Sequence, residues 1–280
     1  MRKSFSVLLS LLLTGCISLG TAIANVPSYF SGLEREADIA YGEEPWQKLD
    51  IYQIPTDGKK PKPVIVFFYG GRWEEGSKAD FRFVANRFAK EGYLVVIPDY
   101  VKYPQKKFPA FVEDGARAVA WTKHHIAEYG GDASYLYVMG HSAGAHIGAL
   151  IAADKRYLEK HGSSPKDITA FAGLAGPYAF TPEEDDLKDM FGPPENYPNM
   201  QVPTFIDGDE PPMLLLWGEQ DSVVGKINID RLVPPMQQHG DTVKTIFYPD
   251  FGHIGIIANL ARSDEPVARD VIAFFKQFEK

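Results

Sequence analysis

Cysteine is nearly absent from this chain: 280 residues contain only Cys16. No intramolecular disulfide can form, so stability has to come from a buried core. Histidine is sparse, with seven residues, and none shows the H-E-x-x-H spacing of a metal-binding helix. The sequence therefore calls for no metal and no cofactor. Blocks of positive charge are missing as well. The 29 Lys and Arg are scattered and outnumbered by 37 Asp and Glu, giving a net charge of −8. Nucleic-acid binding needs clustered basic residues, so a nucleic-acid partner is excluded. The acidity implies solubility and mild repulsion of anionic partners. There is no internal repeat and no low-complexity segment. The apolar stretch at 5–13 is too short for an ordinary membrane-spanning helix.

That stretch has another reading. Met1-Arg2-Lys3 is cationic, the apolar run follows, and Leu13-Thr14-Gly15-Cys16 comes next. This is the layout of an export signal, which stands outside the fold. Leu-Thr-Gly-Cys resembles a bacterial lipobox, in which Cys16 would become the lipidated first residue and a membrane anchor. Ala22-Ile23-Ala24 offers a competing cleavage before Asn25, which would remove Cys16 with the signal. Either cleavage places the mature chain outside the cytoplasm, in the periplasm or cell envelope or secreted. Residues 25–45 are polar and read as an irregular lead-in, leaving 46–280 as one domain.

Within that domain, helical and strand signals alternate. Residues 47–54 alternate weakly and predict an edge strand. Residues 64–68, 94–97, 135–139, 170–174 and 213–217 are short apolar runs, the pattern of strands buried on both faces. Residues 81–90 carry apolar positions at helical spacing, and Pro109 can open the next helix. Residues 243–248 form a last strand before a closing helix at 267–278. The rhythm breaks at 177–212, a Pro- and acid-rich insertion with interleaved aromatics. The alternation predicts an α/β fold: a mostly parallel, doubly wound sheet with helices on both faces and the insertion over its carboxyl edge. Functional groups belong on loops at the carboxyl ends of the strands.

One such loop organises the rest. Gly140-His141-Ser142-Ala143-Gly144 reads G-x-S-x-G between a strand run and a helix-compatible run at 145–153. Strand, glycine-pinched turn and helix are what a nucleophile elbow requires. Ser142 becomes the candidate nucleophile, and the N–H of Ala143 at the helix start points at a developing oxyanion. A serine hydroxyl needs a base, and the base needs an orienting acid. His253, glycine-flanked after the last strand, is the candidate base; His239 at a helix end and His146 one turn beyond Ser142 read as structural. Asp221, in the turn after 213–217, is the candidate acid, with Glu219 as runner-up.

Several pieces then match together: Leu-Asp-Ile-Tyr at 49–52, Tyr-Gly-Gly-Arg-Trp at 69–73, Phe-Pro-Ala at 108–110, the elbow, Gly-x-x-Asp at 218–221 and Gly-His at 252–253. Over roughly 49–278 the chain resembles the α/β-hydrolases of the esterase/lipase group, near its feruloyl-esterase-like, kynurenine formamidase-like and hormone-sensitive-lipase-like branches. The order Ser142, Asp221, His253 is theirs. In those relatives a His-Gly-Gly-Gly-like turn donates backbone N–H groups to the oxyanion. Here Tyr69 replaces the histidine and Arg72 the third glycine. The resemblance implies Gly71 and Arg72 as donors, Gly70 as shaping the turn, and Ala143 as completing the hole. Together with the export signal and the modest length of the 177–212 insertion, it implies an exported serine hydrolase acting on small or short-acyl carboxylic esters. An arylformamidase or peptidase on the same three residues, and a binding protein that has lost the chemistry, are the alternatives. The sequence leaves the natural ester and the oligomeric state open.

Overall fold

The computed structural model describes residues 19–56, 60–263 and 265–279. Cys16 and most of the expected export signal lie outside the described residues. Eight strands run in chain order as β1 (Glu34–Ala40), β2 (Lys48–Gln53), β3 (Lys62–Phe68), β4 (Leu94–Pro98), β5 (Gly131–His141), β6 (Ala170–Leu174), β7 (Met213–Gly218) and β8 (Val243–Tyr248). They form one sheet in the order β1-β2-β4-β3-β5-β6-β7-β8. The pairs β1–β2 and β2–β4 are antiparallel and the rest are parallel. This is the mostly parallel α/β sheet expected from the alternation, and its strand order fits the α/β-hydrolase fold that the resemblance implies.

The strand order fixes where a site can form. From β3 the chain steps outward to β4, then returns across β3 to β5. Right-handed crossovers put the helix between β3 and β4, α1 (Arg82–Ala89), on one face of the sheet. They put α2 (Ala110–His125) and α3 (Ala143–Ala153) on the other. The crevice therefore opens between the carboxyl ends of β3 and β5. The turn at 69–73 leaves β3 there, and Ser142 leaves β5 there. Helix α3 is buried along all eleven of its residues, which is why it is apolar all round rather than striped.

Two expectations are corrected at the sheet edge. Residues 25–45 are not simply an irregular lead-in: they hold a 3₁₀ turn (Val26–Phe30) and the edge strand β1. Residues 48–53, expected at the edge, are an interior strand between β1 and β4. Both errors have one cause. Strand β1 is almost wholly exposed, so it shows no apolar alternation. Strand β2 carries a charge, Asp50, at a fully buried position, which disguises it as half-solvated. Asp50 accepts hydrogen bonds from Arg35 Nε at 2.8 Å, the Asp38 N–H at 3.0 Å and the Tyr52 hydroxyl at 3.0 Å. Lys78 Nζ lies 3.4 Å from it and also pairs with Asp38. The ladder slips between Glu36 and Ile39, and Asp38 sits there at φ 58°, a bulge that blunts the exposed edge.

Removing Asp50 leaves the buried Lys78 ammonium with only the exposed Asp38 and the more distant Asp99 as partners. Asp50→Ala should cost about 3–5 kcal/mol. Urea unfolding checks it; a loss under about 1 kcal/mol would show that solvent already reaches the cluster.

Candidate active site

The elbow is made by a close crossing of backbones. Helix α3 starts immediately after Ser142 and passes over the end of β3. A Cβ on Gly144 would fall 2.1 Å from the Phe68 carbonyl oxygen, and one on Gly140 would fall 2.4 Å from the Gly144 carbonyl oxygen. Only glycine fits at either place. Ser142 itself stands at φ 53°, in the left-handed region. A non-glycine residue holds such a conformation only where its surroundings over-determine it. Here the Ser142 N–H donates to the Leu174 carbonyl on β6 at 2.9 Å, and its carbonyl accepts the His146 N–H at 3.1 Å.

The strained turn presents the hydroxyl to His253. Ser142 Oγ lies 2.9 Å from His253 Nε2, and His253 Nδ1 lies 2.8 Å from Asp221 Oδ2. Asp221 can only accept at Nδ1, so the proton sits there and Nε2 is free to take the serine proton. The Asp221 carboxylate is itself held: its Oδ1 accepts the Val223 and Val224 N–H groups, each at 2.8 Å. Burial pushes its pKa up, but bonds from His253 and those two amides outweigh this and keep it below the usual carboxylate range. Glu219, the alternative acid, is exposed in the same turn. The structure thus brings Ser142, His253 and Asp221 together in the expected order.

The turn after β3 lies against them. A Cβ on Gly70 would come within 3.0 Å of Ser142 Cβ. Gly71, Arg72 and Trp73 follow with φ of 129°, 55° and 62°. The Gly71 carbonyl accepts the N–H groups of Glu74 and Glu75, both at 2.9 Å, which closes the turn. Ala143 is the first residue of α3, where a backbone N–H has no partner inside the helix. Gly70 and Ala143 thus adjoin Ser142 directly, and Gly71 and Arg72 follow Gly70 in the same turn. Tyr69, where the resemblance expects histidine, is buried behind the turn. Its hydroxyl donates to Asp99 Oδ1 at 2.6 Å and accepts from Lys102 Nζ at 2.9 Å. Burial raises its pKa well above normal, so it stays protonated and keeps donating. Asp99 and Lys102 were not singled out by the sequence, because each is one polar residue in a loop with no spacing to flag it.

The insertion is tied to this turn. Arg72 pairs with Glu184 and with Asp186, the latter at 2.8 Å, at the start of α4 (Asp185–Phe191). Trp73 stacks on Phe180 with ring centroids 5.6 Å apart and meets Phe191 edge-on at 5.0 Å. His146 is structural, as its place one turn below Ser142 suggested: its Nε2 donates to the Met200 carbonyl at 2.7 Å, anchoring the far end of the insertion. His239 ends its helix beside Gly240. No group of His, Cys, Asp or Glu among the described residues is arranged to hold a metal ion.

Two buried histidines make folding sensitive to acid. Burial pushes the His146 pKa down to about 4 and, with the neighbouring His253, pushes His141 down to about 3, from an ordinary 6.5. The unfolded chain takes up protons on these rings below about pH 6.5, whereas the folded protein does not until it nears those lower values. Stability should be fully present above about pH 6.5 and be lost progressively as the pH falls towards 4 and 3. Urea midpoints across that window check this, and His146→Gln should flatten the slope by about one proton.

With that geometry in hand, comparison with known proteins places the chain. The BD-FAE family model matches residues 49–232. A probable isoprenylcysteine alpha-carbonyl methylesterase of Oryza sativa subsp. japonica is 36% identical over 54% of this chain and 37% of its own length. Esterase LipC of Mycobacterium tuberculosis is 30% identical over 66% of this chain and 51% of its own length. The chain thus spans only a third to a half of these curated relatives. Among solved structures, an inhibited esterase B from Lactobacillus rhamnosis superposes with a TM-score of 0.79 at 19% identity, covering 99% of this chain and 97% of that one. A truncated carbohydrate esterase from gut microbiota gives 0.76 at 19% identity, over 88% and 96%. These structural likenesses are of fold.

Proposed function

The chain belongs to the BD-FAE family, within the α/β-hydrolase esterase/lipase superfamily, and on that footing we propose that it is a serine hydrolase of carboxylic esters. One observation carries the reading: the unbroken relay from Ser142 Oγ through His253 to Asp221, with contacts of 2.9 and 2.8 Å. The similarity to esterases over the family-matched core supports the bond type.

In this mechanism Ser142 Oγ attacks the ester carbonyl while His253 Nε2 accepts its proton. The carbonyl oxygen gains a negative charge beside the N–H groups of Gly71, Arg72 and Ala143. Dipoles already aimed there stabilise the charge without reorganising, and losing one such donor typically costs on the order of a hundredfold in rate. Asp221 steadies the imidazolium that forms. His253 then returns the proton to the alcohol oxygen as the C–O bond breaks, leaving an acyl group on Ser142. A water deprotonated by His253 attacks this acyl-enzyme, and its collapse releases the acid and restores the serine.

The substrate is small or short in its acyl part. The insertion is short, and its aromatics Phe180 and Phe191 are packed on Trp73 rather than raised as a large lid. The protein works outside the cytoplasm, delivered by the signal at 1–24 and, where cleavage falls before Cys16, held at the membrane by a lipid there. Mass spectrometry of the mature N-terminus distinguishes Cys16 from Asn25 as first residue.

Turnover of p-nitrophenyl acetate, butyrate and octanoate tests the activity. The shorter esters should be hydrolysed faster, and Ser142→Ala should lower kcat by roughly a millionfold. Equal turnover by the variant would sink the mechanism. Hydrolysis of aryl formamides with no ester turnover would move the reading to the amidase branch.

A further inference from the structure

One buried side chain at the site has no part in the steps above. His141 precedes Ser142 and is the last residue of β5. Its ring is 4% exposed. Its Nε2 lies 3.0 Å from the backbone carbonyl oxygen of His253. A carbonyl only accepts, so Nε2 carries the proton and Nδ1 is the lone-pair nitrogen. Nδ1 faces the other side: a Cβ on Gly70 would sit 2.9 Å from it. The ring is also 5.0 Å, centroid to centroid, from that of His253. This imidazole therefore touches the backbone of the base on one edge and the oxyanion turn on the other, and is covalently next to the nucleophile.

The geometry points to His141 as a positioning residue that sets the spacing of His253 and of the Gly70 turn about Ser142. The assignment rests on the serine-hydrolase reading for its kinetic consequence, though not for its geometry. The His253 side chain is held at Nδ1 by Asp221 and meets Ser142 Oγ at Nε2, but the Ser142 bond is given up as the serine proton moves, which leaves Asp221 as the ring's one lasting side-chain tether. His253 is the first residue of the short helix His253–Ala258 and follows Gly252, so the base stands where the chain turns from the end of β8 into that helix. The bond from His141 fixes the carbonyl of that same residue, and two tethers on one residue define both its place and its angle. Misplacing a reacting group by about 1 Å can cost a hundredfold in rate.

The role also needs a neutral donor. The titratable groups acting on His141 are His253, at the start of the helix that follows β8, and Asp221, on the loop after β7. Burial and the charge that His253 acquires both disfavour a proton on His141, and Asp221 only partly offsets them. His141 thus keeps donating to the carbonyl without adding a second positive charge while His253 is protonated. An arginine or lysine there would supply the bond but repel the imidazolium.

Two variants separate positioning from simple filling of space. His141→Gln keeps an N–H donor at about the reach of Nε2, whereas His141→Leu keeps volume and loses the donor. With folding verified by urea midpoints, His141→Leu should lower kcat on p-nitrophenyl butyrate about a hundredfold with KM within about twofold, and His141→Gln should recover at least about tenfold. The His253 Nδ1–H resonance, read by NMR without any substrate, should be sharp in the wild type and broadened or lost in His141→Leu. Leucine and glutamine variants that both fold and keep wild-type kcat, or a leucine variant with an unchanged Nδ1–H resonance, would overturn the assignment. A wild type that hydrolyses no ester yet shows the resonance change would overturn the ester reading and leave the positioning role intact.

Discussion

Everything at the site depends on two stretches of backbone coming closer than side chains allow. The start of α3 lies over the end of β3, with Gly144 pressed on the Phe68 carbonyl and Gly140 pressed on Gly144. This crossing forces Ser142 into a left-handed conformation and brings the turn after β3 against it. The contact is therefore both the source of the strain and the reason the parts are near one another. Its cost is offset by neighbours in the sheet: β3 on one side, and β6 on the other through the Leu174 carbonyl. Strain of this kind, of order 1–3 kcal/mol per residue, is stable only inside a packed frame.

The frame is polar at two places where a core is normally apolar. Behind the oxyanion turn, Tyr69, Asp99 and Lys102 form a hydrogen-bonded chain, with Tyr69 stacked between Phe81 and Tyr100. At the antiparallel edge, Asp50 gathers Arg35, Lys78 and Tyr52. The first holds the turn beside Ser142; the second pins the polar strand β1 to the sheet. In front, Arg72 and Trp73 tie the same turn to the insertion through ion pairs and ring contacts.

Much of this was legible in the chain. The apolar runs marked the five strands from β3 to β7 because strands buried on both faces need apolar residues at every position. Gly140, Ser142 and Gly144 marked the elbow because the crossing tolerates nothing larger. Asp221 and His253 were legible because each follows a strand near a glycine. Strand β1 was not, since an exposed edge strand is held by backbone bonds and ion pairs rather than by alternating apolar residues. The role of β2 was obscured by Asp50 for the same reason. His141 passed as an interchangeable residue of the elbow motif, since a bond to the carbonyl of His253, 112 residues away, leaves no local pattern.

What the sequence determined by itself was the order of the elements from β3 onward, the mostly parallel sheet they make and the candidates Ser142, Asp221 and His253, because strand burial, turn chemistry and the elbow are local requirements written in neighbouring residues. Tertiary structure alone decided the distances among them, the bonding of His141 to the base, the buried ion cluster around Asp50 and the tie between Arg72 and the insertion. Those depend on groups far apart in the chain, whose meeting is set by how the sheet orders its strands.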